Sequence, residues 1–136
     1  MPRPVLSDTA RQLLDGPDFA VLATTNPDGT HHLCVMWVGR DGDDLLLVTK
    51  KHRRQYRNLV VDPRASVLVY ARDRPTHYLE VRGRVSFQDE GADALMNTLS
   101  HTYTGGEYVS PNPTDARPRV IVRLTTERAT EHGSLA

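Results

Sequence analysis

The chain has 136 residues, one domain's worth, with 17 Lys and Arg balanced by 17 Asp and Glu, which excludes a generic attraction of the whole molecule to nucleic acid or to anionic membranes. A single cysteine, Cys34, excludes an intramolecular disulfide, and with no secretory leader and no bilayer-length apolar run the expected setting is the reducing cytoplasm. Such a chain is short for an enzyme that must enclose a large cofactor alone, so the expected partner is a second copy, with neither nucleic acid nor membrane.

Residues 7–15 read as a short amphipathic helix, with Ser7 or Asp8 as N-cap, Ala10, Leu13 and Leu14 on one face, and Gly16 and Pro17 as the stop. Phe19 to Thr25 has strand composition. Asn26-Pro27-Asp28-Gly29 has good turn chemistry and predicts a hairpin. The returning strand, Thr30 to Val38, is partly apolar on both faces, so each face meets protein or ligand. Cys34 lies within it and reads as a buried, inert thiol. Gly39 to Asp44, containing Asp41-Gly42, supplies a second hairpin turn before the strand Leu45–Thr49.

A dense cationic segment follows: Lys50, Lys51, His52, Arg53, Arg54 and Arg57. Its middle reads as a short helix ending at the Asp62–Pro63 turn. Cations beside a helix start are a means of holding an anion, Arg by paired hydrogen bonds and Lys as a point charge. Beyond it, Ser66–Ala71 is a strand, Arg72 to Thr76 a loop containing Pro75, and Tyr78 to Phe87 an alternating strand in which Gly83 predicts a bulge or bend. Asp89 to Tyr103 reads as a helix with Ala92, Leu95, Met96 and Leu99 on one stripe. The Gly/Pro-rich segment 105–118 is a loop long enough to cover a site or a neighbouring subunit. Arg119 to Thr125 is the last strand, and the tail 127–136 is expected to be loosely held.

Six antiparallel strands with flanking helices, one inserted between strands, predict a mainly β fold built as a small closed or nearly closed barrel, one domain over residues 1–136 with its core at about 7–125. His31, His32, His52, His77, His101 and His132 are dispersed, without acidic or cysteine neighbours at ligand spacing, so no metal site is expected.

The stretches VLATTNPDGTHHLCVMWV, TKKHRRQYRNLVVDPRASVLV, YLEVRGRV and LSHTYTGGEY, in this order, resemble the split-barrel flavin and deazaflavin oxidoreductases related to pyridoxamine 5'-phosphate oxidase, nearest to the branch using coenzyme F420. The resemblance covers about residues 7–125. It implies a six-stranded antiparallel split barrel of the FMN-binding type, a homodimer, and cofactor grooves at the interface. It also implies that Arg53, Arg54 and Arg57 grip the cofactor phosphate, with Gln55 standing where many deazaflavin-binding relatives have Lys. Lys50 or Lys51 could replace that charge, and Gln55 could still donate a hydrogen bond. Asn58 falls in the same segment. Val35, Met36 and Trp37 correspond to the wall against which the ring lies, and Thr49 stands beside the groove. The expected reaction is hydride transfer from coenzyme F420 to a conjugated small molecule, with Tyr78 and His77 as candidate proton donors. The alternatives are an FMN-dependent oxidoreductase of the same fold and a non-catalytic protein binding F420 or a tetrapyrrole.

Overall fold

The computed structural model describes residues 5–133. Helix α1 (Asp8–Asp15) begins at Ser7, whose hydroxyl accepts the Ala10 N–H at 3.1 Å, and buries Ala10, Leu13 and Leu14 as their spacing predicts. Strands β1 (Ala20–Thr25) and β2 (His31–Met36) form the first hairpin, turning at Gly29 with φ +86°. After β3 (Gly39–Asp41) and β4 (Asp44–Lys50) come α2 (Arg54–Val61), β5 (Arg64–Ala71), β6 (Arg74–Gln88), α3 (Ala92–Thr104) and β7 (Arg119–His132).

All seven strands belong to one antiparallel sheet, in the order β2-β1-β5-β6-β7-β4-β3. The two edge strands, β2 and β3, are consecutive in the chain, with only Trp37 and Val38 between them. Three Cα steps reach at most about 11 Å, so the sheet must curl until its edges almost meet. No ladder joins those edges among the described residues. The mainly β, nearly closed barrel is as expected, but the strand number is corrected from six to seven, and closure is incomplete along one seam. The unforeseen strand is β3, whose Gly-Arg-Asp sequence has no apolar alternation and pairs with β4 through a turn at Gly42, φ +61°.

Tyr103 of α3 sits at the end of the seam, tying the β2–β3 link to the residues before β1. Its hydroxyl donates to the Asp18 carbonyl at 2.6 Å and accepts the Val38 N–H at 3.1 Å.

Two further expectations change. The tail does not come loose at residue 127: β7 runs to His132 and pairs with β6 from Tyr78↔His132 onward. This end of β7 lies along the part of β6, Tyr78 to Arg82, that β5 holds on its other side, with Ala129 packed against the core, and the Ser7 hydroxyl donates to Glu131, tying α1 to it. Residues 134–136 and 1–4 lie outside the described residues. Pro75 sits in β6 rather than in a loop. Residues 75–77 precede the stretch of β6 that pairs with β7, and the turn to β5 closes at Ala71↔Arg74, so the missing N–H costs no ladder bond.

The bulge expected at Gly83 is present, as a register shift between Arg82 and Gly83. A Cβ there would lie 1.9 Å from the Thr125 carbonyl oxygen, so only glycine fits.

The inward rows of β1, β4, β5, β6 and β7 form the main core, with Leu22, Leu47, Val67, Val81 and Leu124 fully buried. Helix α3 covers the other face of β4 and β7, where Val48, Ile121, Ala92 and Leu99 pack together. Nothing covers the outward row of β2: Leu33 is 63% and Val35 64% exposed.

Candidate functional site

Where β2 ends at the seam, a cleft of about 390 Å³ opens between the ends of β2 and β4, the start of α2, one side of α3, and the loop 105–118. That volume lies within the range of small-molecule sites. Its walls divide into two kinds. Val35, Met36, Trp37, Val48, Met96 and Leu99 supply an apolar surface, and Lys50, Arg53, Gln55 and Arg119 supply the polar one.

Trp37 is fixed from behind. It stacks on Tyr103 at 5.2 Å and 13° between planes, and the edge of Tyr108 meets it at 6.3 Å. The Tyr103 side of the indole is thus occupied by protein. Tyr108 in turn lies under the Arg119 guanidinium, 4.9 Å from ring centroid to Cζ, while Arg119 donates to Asp93 at 3.1 Å.

The polar wall follows from the junction of β4 with α2. A turn closes with the Arg53 N–H donating to the Lys50 carbonyl at 3.0 Å, and α2 begins at once with no side-chain cap. The first N–H groups of α2 therefore remain free of side-chain acceptors next to Arg53, which favours a bound anion. Gln55 turns inward: it is 9% exposed and its amide donates to the Thr49 hydroxyl at 3.0 Å. One of its two amide N–H donors is thereby used on the protein, while the side chain still lines the cleft.

Asn58 is also structural. Its amide donates to Thr24 Oγ1 at 3.0 Å and Asn26 Oδ1 at 2.9 Å, fastening α2 to the β1–β2 hairpin and so setting where Arg53 stands.

Of the residues singled out from the sequence, Val35, Met36, Trp37, Thr49, Lys50, Arg53 and Gln55 meet in the cleft. Lys51, Arg54, Arg57 and Asn58 do not line it. Lys51 pairs with Asp89 at 3.0 Å, and Arg54 and Arg57 are exposed on α2. Tyr78 and His77 do not line it either; Tyr78 stacks on His132 at 4.3 Å, where β6 pairs with the end of β7. Cys34 is half-buried behind β2, and burial pushes its thiol pKa up, in keeping with an inert role.

The loop 105–118 supplies what sequence reasoning assigned to no residue: Tyr108, Ser110, Pro111, Asn112 and Asp115 all face the cleft. It is strapped down at both ends. Ser100 donates to the Gly106 carbonyl at 2.8 Å and the Tyr108 N–H donates to Asn97 at 2.9 Å. At the far end Asp115 meets Lys50 Nζ at 3.0 Å, with side chains 11% and 9% exposed. Asp115 also takes a two-pronged contact from Arg117, at 2.9 and 3.0 Å. Hydrogen bonds from Arg117 and then from Lys50 hold this carboxyl well below the usual carboxylate range. A Pro/Gly-rich composition marks such a loop but does not say which of its side chains turn inward.

No group of His, Cys, Asp and Glu among the described residues could hold a metal ion. Among the described residues no helix is long and apolar enough to cross a membrane.

Residues 6–133 match the family model described as pyridoxamine 5'-phosphate oxidase. The chain belongs to that family. Among solved structures, one named F420 reductase is 31% identical, with 96% of this chain and 98% of that one covered and a TM-score of 0.77. A conserved hypothetical protein of Mycobacterium tuberculosis is 25% identical over 97% of this chain and 89% of its own, with a TM-score of 0.73. A putative pyridoxamine 5'-phosphate oxidase of Listeria innocua, 23% identical over 88% of this chain and 90% of its own, shares the fold at a TM-score of 0.64. No curated protein matches. The pyridoxamine 5'-phosphate oxidase family is one of flavin- and deazaflavin-type oxidoreductases, and the cleft at the seam has the chemistry such a group requires: a rigid apolar wall, an open sheet edge, and cations at one end.

Proposed function

We propose that this chain is an F420-dependent oxidoreductase. The observation that carries the reading is the division of the cleft, with an aromatic-backed apolar wall beside an uncapped helix start and Arg53. The residues fit a tricyclic ring bearing an anionic side chain. Met36 and Trp37 would carry the ring, and Arg53 with the first N–H groups of α2 would hold its phosphate. When bound, a deazaflavin supplies two-electron hydride chemistry toward a conjugated small-molecule substrate. The protein's part is alignment, a surface from which water is excluded, and charge placement.

Likeness to the F420 reductase supports the deazaflavin over FMN. So do Arg54 and Arg57, exposed on one side of α2 outside the cleft: a cofactor with further negative charges on its tail would meet them after leaving the cleft, whereas riboflavin monophosphate ends at its phosphate.

The protein acts as a cytoplasmic homodimer in this reading. Val35 belongs both to the cleft and to the uncovered outward row of β2, so a second copy lying against Leu33 and Val35 would complete the cleft wall. Calorimetric titration of the protein with coenzyme F420 and with FMN, together with light scattering, tests the proposal. Tight deazaflavin binding by a dimer is expected. Binding of FMN alone would move the protein to the flavin branch, and a monomer with full affinity would remove the interface.

A further inference from the structure

Lys50 is the cation most firmly built into the cleft, and an acid of the protein already holds it. Its ammonium, almost fully buried, already meets Asp115 Oδ2 at 3.0 Å, and Asp115 belongs to the strap that crosses the cleft. The carboxylate is held in that position by the Arg117 guanidinium and by the Arg117 N–H at 3.1 Å. One buried ammonium facing one fixed carboxylate oxygen is the contact that a phosphate oxygen would make in its place. A second anion cannot enter beside the first without like-charge repulsion in a poorly hydrated space.

We propose that Asp115 is the specificity-determining residue of the cleft: its carboxylate holds the anion position on Lys50, and a ligand bearing an oxyanion binds by exchanging with it, releasing the strap between Val109 and Pro118. A ligand with the same ring and no oxyanion has nothing to exchange and leaves the strap latched. The inference rests on reading the cleft as a cofactor site. Arg117, left with its carboxylate on the released strap, follows Asp115 outward as a neutral pair, so the exchange places no uncompensated charge in the cleft. The other end of the strap keeps its bonds to Ser100 and Asn97, made by Gly106 and Tyr108, so the stretch set free is the one beyond Tyr108.

The test compares one ring with and without its phosphate, FMN against riboflavin, on the full chain and on the Asp115→Asn variant, by fluorescence titration. The amide retains shape but not charge. The ratio of FMN to riboflavin affinity is expected to rise about five- to tenfold in the variant, because the ligand phosphate no longer competes with a carboxylate. An unchanged or lower ratio overturns the proposal.

Should neither ring bind either protein, the cofactor reading fails separately, and the latch is judged on the strap itself. Proteinase K cleavage within residues 109–118 is then measured in potassium phosphate and in potassium chloride at equal ionic strength. Phosphate is expected to speed cleavage of the unmodified chain, and Asp115→Asn to be cut quickly in both salts. A rate indifferent to phosphate in the unmodified chain overturns the latch.

Discussion

Replacing Tyr103 by Phe removes one oxygen atom from the seam and nothing else. The ring remains to stack on Trp37 at 5.2 Å, so the apolar wall keeps its backing. What disappears is the acceptor for the Val38 N–H and the donor to the Asp18 carbonyl. Val38 is 1% exposed, so water cannot take the place of the lost acceptor. An orphaned buried N–H costs about 1–3 kcal/mol, and the unmet Asp18 carbonyl adds a fraction of that, giving about 2–3 kcal/mol together. For a chain of this length the unfolding entropy makes 1 kcal/mol worth about 3.5 °C, so Tm should fall by roughly 7–10 °C. Differential scanning calorimetry measures it. Fluorescence of Trp37, the only tryptophan, checks that the stack survives. A fall of less than about 2 °C with an unchanged emission spectrum would mean that the two sheet edges are held together by packing alone, and the hydroxyl would lose its place in the account of the seam.

Three other outcomes are expected. Arg53→Ala should weaken binding of a phosphate-bearing cofactor by about 1–3 kcal/mol in a calorimetric titration, while Arg57→Ala, outside the cleft, should change FMN affinity by less than about half a kcal/mol; equal effects would place the phosphate elsewhere on α2. Gln55→Lys should tighten FMN and F420 binding about tenfold, since its longer stem carries a charge past Thr49 into the cleft, and should lower Tm by a few degrees through loss of the Gln55–Thr49 bond; a melting change without an affinity change would show that Lys50 and Arg53 already satisfy the phosphate. The pH dependence of the strap follows from the lowered pKa of Asp115. Its contribution is fully present above the unfolded carboxylate value of about 3.9 and is lost only as pH falls through the lower folded value, so Trp37 emission, which senses Tyr108, should be flat from about pH 8 to 5; a transition centred near pH 6 would contradict the assignment.

Local chemistry made much of this fold legible. Ser7 before an Ala10, Leu13, Leu14 stripe specifies α1, Asn26 to Gly29 specifies a hairpin, and Gly83 within an alternating strand specifies a bulge. Each signal lies within a few residues of its effect. What escaped depends on distant partners. Strand β3 exists because β4 offers it an edge, and the polar end of β7 is ordered because β6 extends beside it. The site divided along the same line. Arg53 and Trp37 belong to recognisable segments, but the role of Asp115 depends on a meeting with Lys50, 65 residues away in the chain. Charge counting along the cationic segment credited Lys50 as a free ligand for phosphate because the sequence cannot show which acids return to it. Asn58 differs for the opposite reason: an amide in a cationic segment looks like a ligand group until Thr24 and Asn26 claim it.

The position of the cleft follows from the place where the sheet fails to close. Along the five inner strands the backbone donors and acceptors face a neighbour on both sides, whereas β2 pairs only with β1 and β3 only with β4, so their outer edges stay open. An unpaired edge is a hazard on a surface, but beside an apolar wall it becomes a row of fixed hydrogen-bonding groups available to the polar rim of a flat ring. Full closure against β3 would consume those groups, and a wider gap would lose Trp37 from its stack on Tyr103. The two-residue link Trp37–Val38 sets the gap between these limits: it is too short to let the edges separate, and its own N–H at Val38 is taken by Tyr103 rather than by a strand. A longer link would relax the seam before it touched the core, so an inserted glycine between Trp37 and Val38 would loosen the cleft while leaving the seven-stranded ladder in register.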